Sequence, residues 1–146
     1  MSNKLGPKLV AVMDINTLKL YQTQGLKVTK ELGAFLIHSS LDHNHEKHEG
    51  FYQKKSTPSS FYDPHSATKD IEYRESAKNA VNQINKVFFS QDGKALFPEL
   101  YIIATAKMLG YFKQSLSSEL KKSLSKEIVK DLVGHNVAEV EKALFG

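Results

Sequence analysis

The stretch Leu100–Gly110, LYIIATAKMLG, decides how this chain folds. Its first part is short, apolar and β-branched, the composition of a strand buried on both faces of a sheet. Its second part opens a helical pattern. Leu109, Phe112, Leu116 and Leu120 fall on one face, which predicts a helix over about Lys107–Ser123. A buried strand that passes straight into a helix belongs to an α/β architecture.

Downstream, Ile128–Leu132 (IVKDL) reads as a short strand, and Gly134 breaks the chain after it. Asn136 with Glu139 forms a capping box for a last helix with Val137, Val140 and Leu144 on its core face. Upstream, Ala77, Ala80, Val81, Ile84, Val87 and Phe88 recur at helical spacing and predict a helix over about Lys69–Phe89. Thr68 or Asp70 can cap it, Glu72 and Glu75 suit its positive end, and Gln91-Asp92-Gly93 ends it.

The N-terminal part has the shorter period of strands. Lys8–Asp14 (KLVAVMD) reads as a mostly buried strand, Asp14–Thr17 as a turn, and Leu18–Tyr21 as the hairpin return. After a turn at Gln24-Gly25, a third strand starts at Leu26–Lys30 and continues past Gly33, which suits a bulge, to Ile37. Residues 39–67 show neither period. They hold four histidines, Pro58, Pro64 and two Phe-Tyr pairs, and are read as a long loop of the kind that is functional or disordered. The order β-β-β-loop-α-β-α-β-α predicts an α/β fold in a single domain over residues 1–146: a mixed five-stranded sheet with flanking helices in a ribonuclease H-like topology.

Composition narrows the function classes. The 146 residues are 40% hydrophobic and 25% charged, as in ordinary globular chains, and contain no cysteine, which excludes disulfides and thiolate metal sites. No signal-peptide pattern is visible, and no apolar run approaches the roughly 20 residues a membrane helix needs. The expectation is a cytoplasmic protein without membrane insertion. The net charge of +4 comes with a single arginine, Arg74, which argues against a reader of DNA bases, since these use arginine forks.

From Asp70 onward the chain resembles the bacterial host-attachment protein family. The helix opening on Glu72 and Glu75, the passage Leu100–Gly110, and Ile128–Leu132 before a capped terminal helix carry the resemblance. Met13-Asp14 and Asp63-Pro64 also fit. The family has a proline where Ala104–Ala106 stand and an arginine where Lys113 stands. The resemblance implies a binding or adaptor protein rather than an enzyme, with no cofactor and a partner it does not name. The family's domain is similar to the middle domain of eukaryotic and archaeal peptide release factors, which implies as an alternative an RNA- or ribosome-associated factor. Those factors carry Gly-Gly-Gln in the corresponding loop. Here Gly50-Phe51-Tyr52-Gln53 is the nearest segment and lacks the glycine pair, so peptide release is not implied.

Candidate sites follow from residue chemistry. A two-metal nuclease needs several converging carboxylates. Asp14 with Glu72 or Glu75 gives part of such a set, but Ala104-Thr105-Ala106 ends the next strand without one. Asp14 also suits a turn that bonds its own backbone. His43, His45 and His48 have the spacing of a zinc motif, but Lys47 stands where the motif needs Asp, so no metal site is assigned. There is no nucleophile elbow, no glycine-rich dinucleotide motif and no P-loop. The candidate binding residues are Phe51, Tyr52, Lys54, Lys55, Phe61 and Tyr62 in the loop, joined by Lys113 on the following lysine-bearing helix. Aromatics among cations can stack bases, anchor in a protein groove, or fold back as satellite core. Residues 107–130 carry six lysines against two glutamates, either a polyanion-facing surface or a plain solvated one.

Overall fold

The structure, a computed structural model, describes residues 6–38 and 64–146. The chain runs β1 (Lys8–Met13), β2 (Thr17–Gln24), β3 (Lys27–Leu36), α1 (Pro64–Phe88), β4 (Leu100–Ala104), α2 (Ala106–Ser115), α3 (Ser118–Ser123), β5 (Leu124–Val129) and α4 (Val137–Phe145). The five strands form one mixed sheet in the order β3-β2-β1-β4-β5. The β1-β2 and β2-β3 pairs are antiparallel, whereas β1-β4 and β4-β5 are parallel. β1, β3, β4 and β5 therefore all end at the same rim of the sheet.

Alternation along the central strands sends side chains to two cores. Leu9, Ala11 and Met13 of β1 join Leu100, Ile102 and Ala104 of β4 under α1 and α2, where Ile84, Phe88, Met108 and Phe112 are fully buried. Val10, Val12 and Ile103 face the other way and pack with Tyr21, Leu132, Val140 and Leu144 under α4. Coverage on both sides explains why β1 and β4 read as unbroken apolar runs.

The hairpins are set by local chemistry. Asp14 Oδ1 accepts from the N–H groups of Asn16 and Thr17, each at 2.8 Å, which closes the β1-β2 turn. Gly25 adopts φ 63° in the two-residue turn before β3. The β2-β3 register shifts twice, and Gly33 (φ 150°) sits beside one of the shifts, as the bulge reading expects.

Four expectations are corrected. α1 begins at Pro64, so neither Thr68 nor Asp70 caps it; proline at a first helical position needs no N–H partner. The predicted Lys107–Ser123 helix is two helices. Leu116 turns extended (φ −69°, ψ 141°), and Ser117 caps a new helix by accepting from Leu120 N–H at 3.2 Å. The last strand lies at Leu124–Val129 rather than Ile128–Leu132. Its half-buried positions, Leu124, Lys126 and Ile128, include a lysine whose ammonium lies 5.2 Å from the Tyr101 ring centre and 5.3 Å from that of Phe145. The aliphatic stem of a lysine can cover apolar surface while its head stays polar, which hides the alternation. Val137, expected in the core, is 36% exposed in the first turn of α4.

Candidate functional site

In sheets with parallel strands, ligands gather at the carboxyl ends of those strands. Here that rim carries a seam between α1 and α2, and helical spacing places its members. Asp70, Tyr73 and Arg74 lie on one side of α1; Lys107 and Tyr111, one turn apart, lie on α2. The rings of Tyr73 and Tyr111 stack with centroids 5.5 Å apart and planes 13° apart. The Tyr111 hydroxyl donates to Asp70 Oδ1 at 2.7 Å. Lys107 Nζ lies 3.9 Å from the same oxygen and 5.4 Å over the Tyr73 ring.

The electrostatics follow from these contacts. The bond to Asp70 is the main reason the Tyr111 hydroxyl titrates above its ordinary value of 10.0; burial and the Asp70 charge add to it, and Arg74 opposes it. The result is a stacked tyrosine pair with the Tyr111 hydroxyl held on Asp70 and the Lys107 ammonium over the Tyr73 ring. Such a surface can hold a planar or acidic group by stacking and charge.

α1 also pins the rim itself. Ser76 Oγ donates to Ile15 O at 2.7 Å, and Asn79 Nδ2 donates to Ile37 O at 2.8 Å. His38, the last residue described before the chain returns at Pro64, lies 3.3 Å from Glu72, and Lys69 lies 3.8 Å from the same carboxylate. Thr105 is the N-cap of α2 and makes no side-chain capping bond.

Of the residues named from sequence, Phe51, Tyr52, Lys54, Lys55, Phe61 and Tyr62 lie outside the described residues, as do His43, His45 and His48. Lys113 is not in the seam. It pairs with Glu127 at 3.0 Å and ties α2 to β5. The lysines of 107–130 do not form one face: Lys107 joins the seam, Lys126 donates to Leu144 O at 2.7 Å, and Lys121 and Lys122 sit on α3. Asp14 serves the turn and Glu72 meets His38. Among the described residues no three His, Asp or Glu side chains group as a metal would need. Sequence reasoning passed over Tyr73 and Tyr111; the available signal was that both fall just off the core stripe of their helices.

Comparison with known proteins agrees with the resemblance seen in the sequence. Residues 9–144 match the model of the family described as "Protein required for attachment to host cells". The chain belongs to this family. A relative from Rickettsia prowazekii (strain Madrid E), itself called an uncharacterized protein, is 45% identical over 140 residues, covering 94% of this chain and 92% of the relative. A solved structure called "Archaeal protein" aligns at a TM-score of 0.45 and 11% identity, covering 97% of this chain but only 37% of its own. Like the rest of the described chain, the host-attachment fold has no helix here long and apolar enough to cross a membrane.

Proposed function

We propose that this member of the host-attachment family is a non-enzymatic binding protein that holds a protein partner at the α1–α2 seam. The stacked Tyr73–Tyr111 pair, flanked by Lys107 and Arg74, carries the reading. Rigid aromatic side chains beside a long cation are the residue types that dominate protein interfaces. The carboxylates a hydrolytic site would need have other work: Asp14 accepts two backbone N–H groups, and Glu72 pairs with His38. The strand order β3-β2-β1-β4-β5 supports a ribonuclease H-like topology used as a scaffold in one domain. The reading places the protein in the cytoplasm, where a chain without cysteine is at home.

Phe51, Tyr52, Phe61 and Tyr62, with Lys54 and Lys55, lie outside the described residues, between His38 and Pro64 in the sequence. We propose that they contribute to the same partner contact. An RNA or ribosomal partner is the other reading, favoured by the Lys107 ammonium over the Tyr73 ring. Salt separates the two. Binding through released phosphate counterions falls steeply as salt rises, whereas an aromatic-anchored protein contact changes little. Native-cell co-purification at low and high salt is the test. A protein retained at high salt and lost in Phe61→Ala supports the proposal; ribosomal RNA released by salt overturns it. Magnesium-dependent cleavage of RNA or DNA that Asp14→Asn abolishes would overturn both.

A further inference from the structure

β3 is an outer strand of the sheet, and its two halves are built differently. The first half is guarded in the ways that edge strands are. Lys27, Lys30 and Glu31 are exposed there, and both register shifts against β2 lie between Val28 and Gly33. The outward Val28 N–H is already taken by the Glu141 carboxylate at 2.7 Å. Residues 32–36, Leu-Gly-Ala-Phe-Leu, carry no charge and no such guard.

One bond fixes the direction of the backbone in this second half. Ile37 N–H donates to Asn16 O at 2.9 Å, so its peptide groups face β2. That orientation alternates along an antiparallel pair. The register Leu18↔Phe35 and Leu20↔Gly33 is unbroken here, so Phe35 and Gly33 also bond β2, and Ala34 and Leu36 turn N–H and C=O outward. Neither makes an outward backbone bond among the described residues. Their side chains point to the α4 side of the sheet, because Phe35 packs on the core under α1 and α2. The Phe35 ring lies over Gly33, where an added Cβ would come 2.7 Å from Cζ, so the α1 side of this edge is already covered. Leu36 is not covered: at 78% it is the most exposed of the large hydrophobic residues described.

We propose that a second copy of the chain pairs with this open half, β3 against β3 and antiparallel, about a two-fold axis at Phe35. Only outward residues that oppose outward residues can exchange bonds, and this axis sets Ala34 opposite Leu36 of the second copy and Leu36 opposite its Ala34. Each exposed leucine then lies against a small side chain, and each such pair can close both of its N–H···O bonds. The guarded halves run past the ends of the opposing open half. An axis shifted toward Lys27 would instead bring the charged residues and Glu141 into the ladder. A ladder this short buries less than the roughly 1,200 Å² of a standard interface, so the dimer is weak, with a Kd on the order of 0.1 mM. The inference does not rest on the seam.

The test is sedimentation velocity of the full chain from about 0.01 to about 1 mM, a range that brackets this Kd, with amide NMR on the same dilution series. The sedimentation coefficient should rise toward that of a dimer, and the Ala34 and Leu36 amides should shift and gain protection from exchange as concentration rises. Ala34→Pro removes an N–H that β2 does not use, and Leu36→Lys puts a charge on the open edge. Each should weaken association at least about tenfold, while the remaining amides report an intact sheet. If Ala34→Pro disturbs the sheet, Leu36→Lys alone decides. A chain that stays monomeric at about 1 mM, or association that Leu36→Lys leaves unchanged, would overturn the proposal. So would Ala34 and Leu36 amides already protected in the dilute monomer, which would put another part of the same chain on this edge.

Discussion

Replacing Tyr111 with phenylalanine keeps the ring stacked on Tyr73 and deletes one interaction, the hydroxyl's bond to Asp70 at 2.7 Å. The Asp70 side chain is 42% exposed, so water screens the bond and Tyr111→Phe should lower Tm by only a few degrees, on the order of 3 °C. Tyr111→Ala removes the stack as well and should lower it further. The assay is urea unfolding of Tyr111→Phe, Asp70→Ala and the double variant. The cycle should give a stabilising coupling between the two positions. The pH arm has a definite sign. The folded Tyr111 hydroxyl titrates above the ordinary 10.0, so the folded state keeps a proton that the unfolded chain gives up. Its contribution is whole below pH 10 and is lost as pH rises through the folded value. Tyr111→Phe should therefore lose stability near neutrality and show a shallower alkaline decline. The decline should persist in part, because burial, helped by Glu31 and Glu99 respectively, also raises Tyr21 and Tyr101. Zero coupling with Asp70, together with an unchanged alkaline limb, would refute this account of the seam.

Other positions give independent checks. Glu141→Ala leaves the Val28 N–H without its 2.7 Å acceptor; unfolding should lose about 1–2 kcal/mol, and amide exchange should rise along β3. Gly33→Ala combines φ 150° with a Cβ only 2.7 Å from Phe35 Cζ, so it should destabilise by about 1–2 kcal/mol in the same assay. Asp14→Asn keeps the turn-closing oxygen and should stay within about 0.5 kcal/mol of wild type, whereas Asp14→Ala should lose about 1 kcal/mol. Lys113→Ala breaks only a half-exposed pair with Glu127, and its thermal unfolding should change by less than about 1 kcal/mol.

The architecture was legible where burial imposes a period. β1, β4 and the apolar stripe of α1 are read correctly because both faces of the central strands, or one face of the helix, must be apolar. The Asp14 turn and the Asn136 cap were legible because short polar side chains there bond nearby backbone N–H groups. What was missed depends on side chains acting against their type. Lys126 lies over aromatic rings and so disguises β5. Ser117 starts a helix where the apolar spacing of Leu116 and Leu120 suggests continuity. The seam was invisible for a different reason. Asp70, Tyr73, Lys107 and Tyr111 come from two helices, and only the packing of α1 on α2 makes them neighbours.

The central claim is that a folded, non-catalytic surface at the α1–α2 seam holds a protein partner. Recovery of the full chain from its native cell, with Lys107→Glu run beside the wild type at high salt, tests it most directly. Lys107 is exposed, so reversing its charge leaves the cores untouched. The account predicts a protein that stays bound to the wild type at high salt and is lost from Lys107→Glu. Retention of that protein by Lys107→Glu, or nucleic acid that high salt strips from both chains, would contradict it.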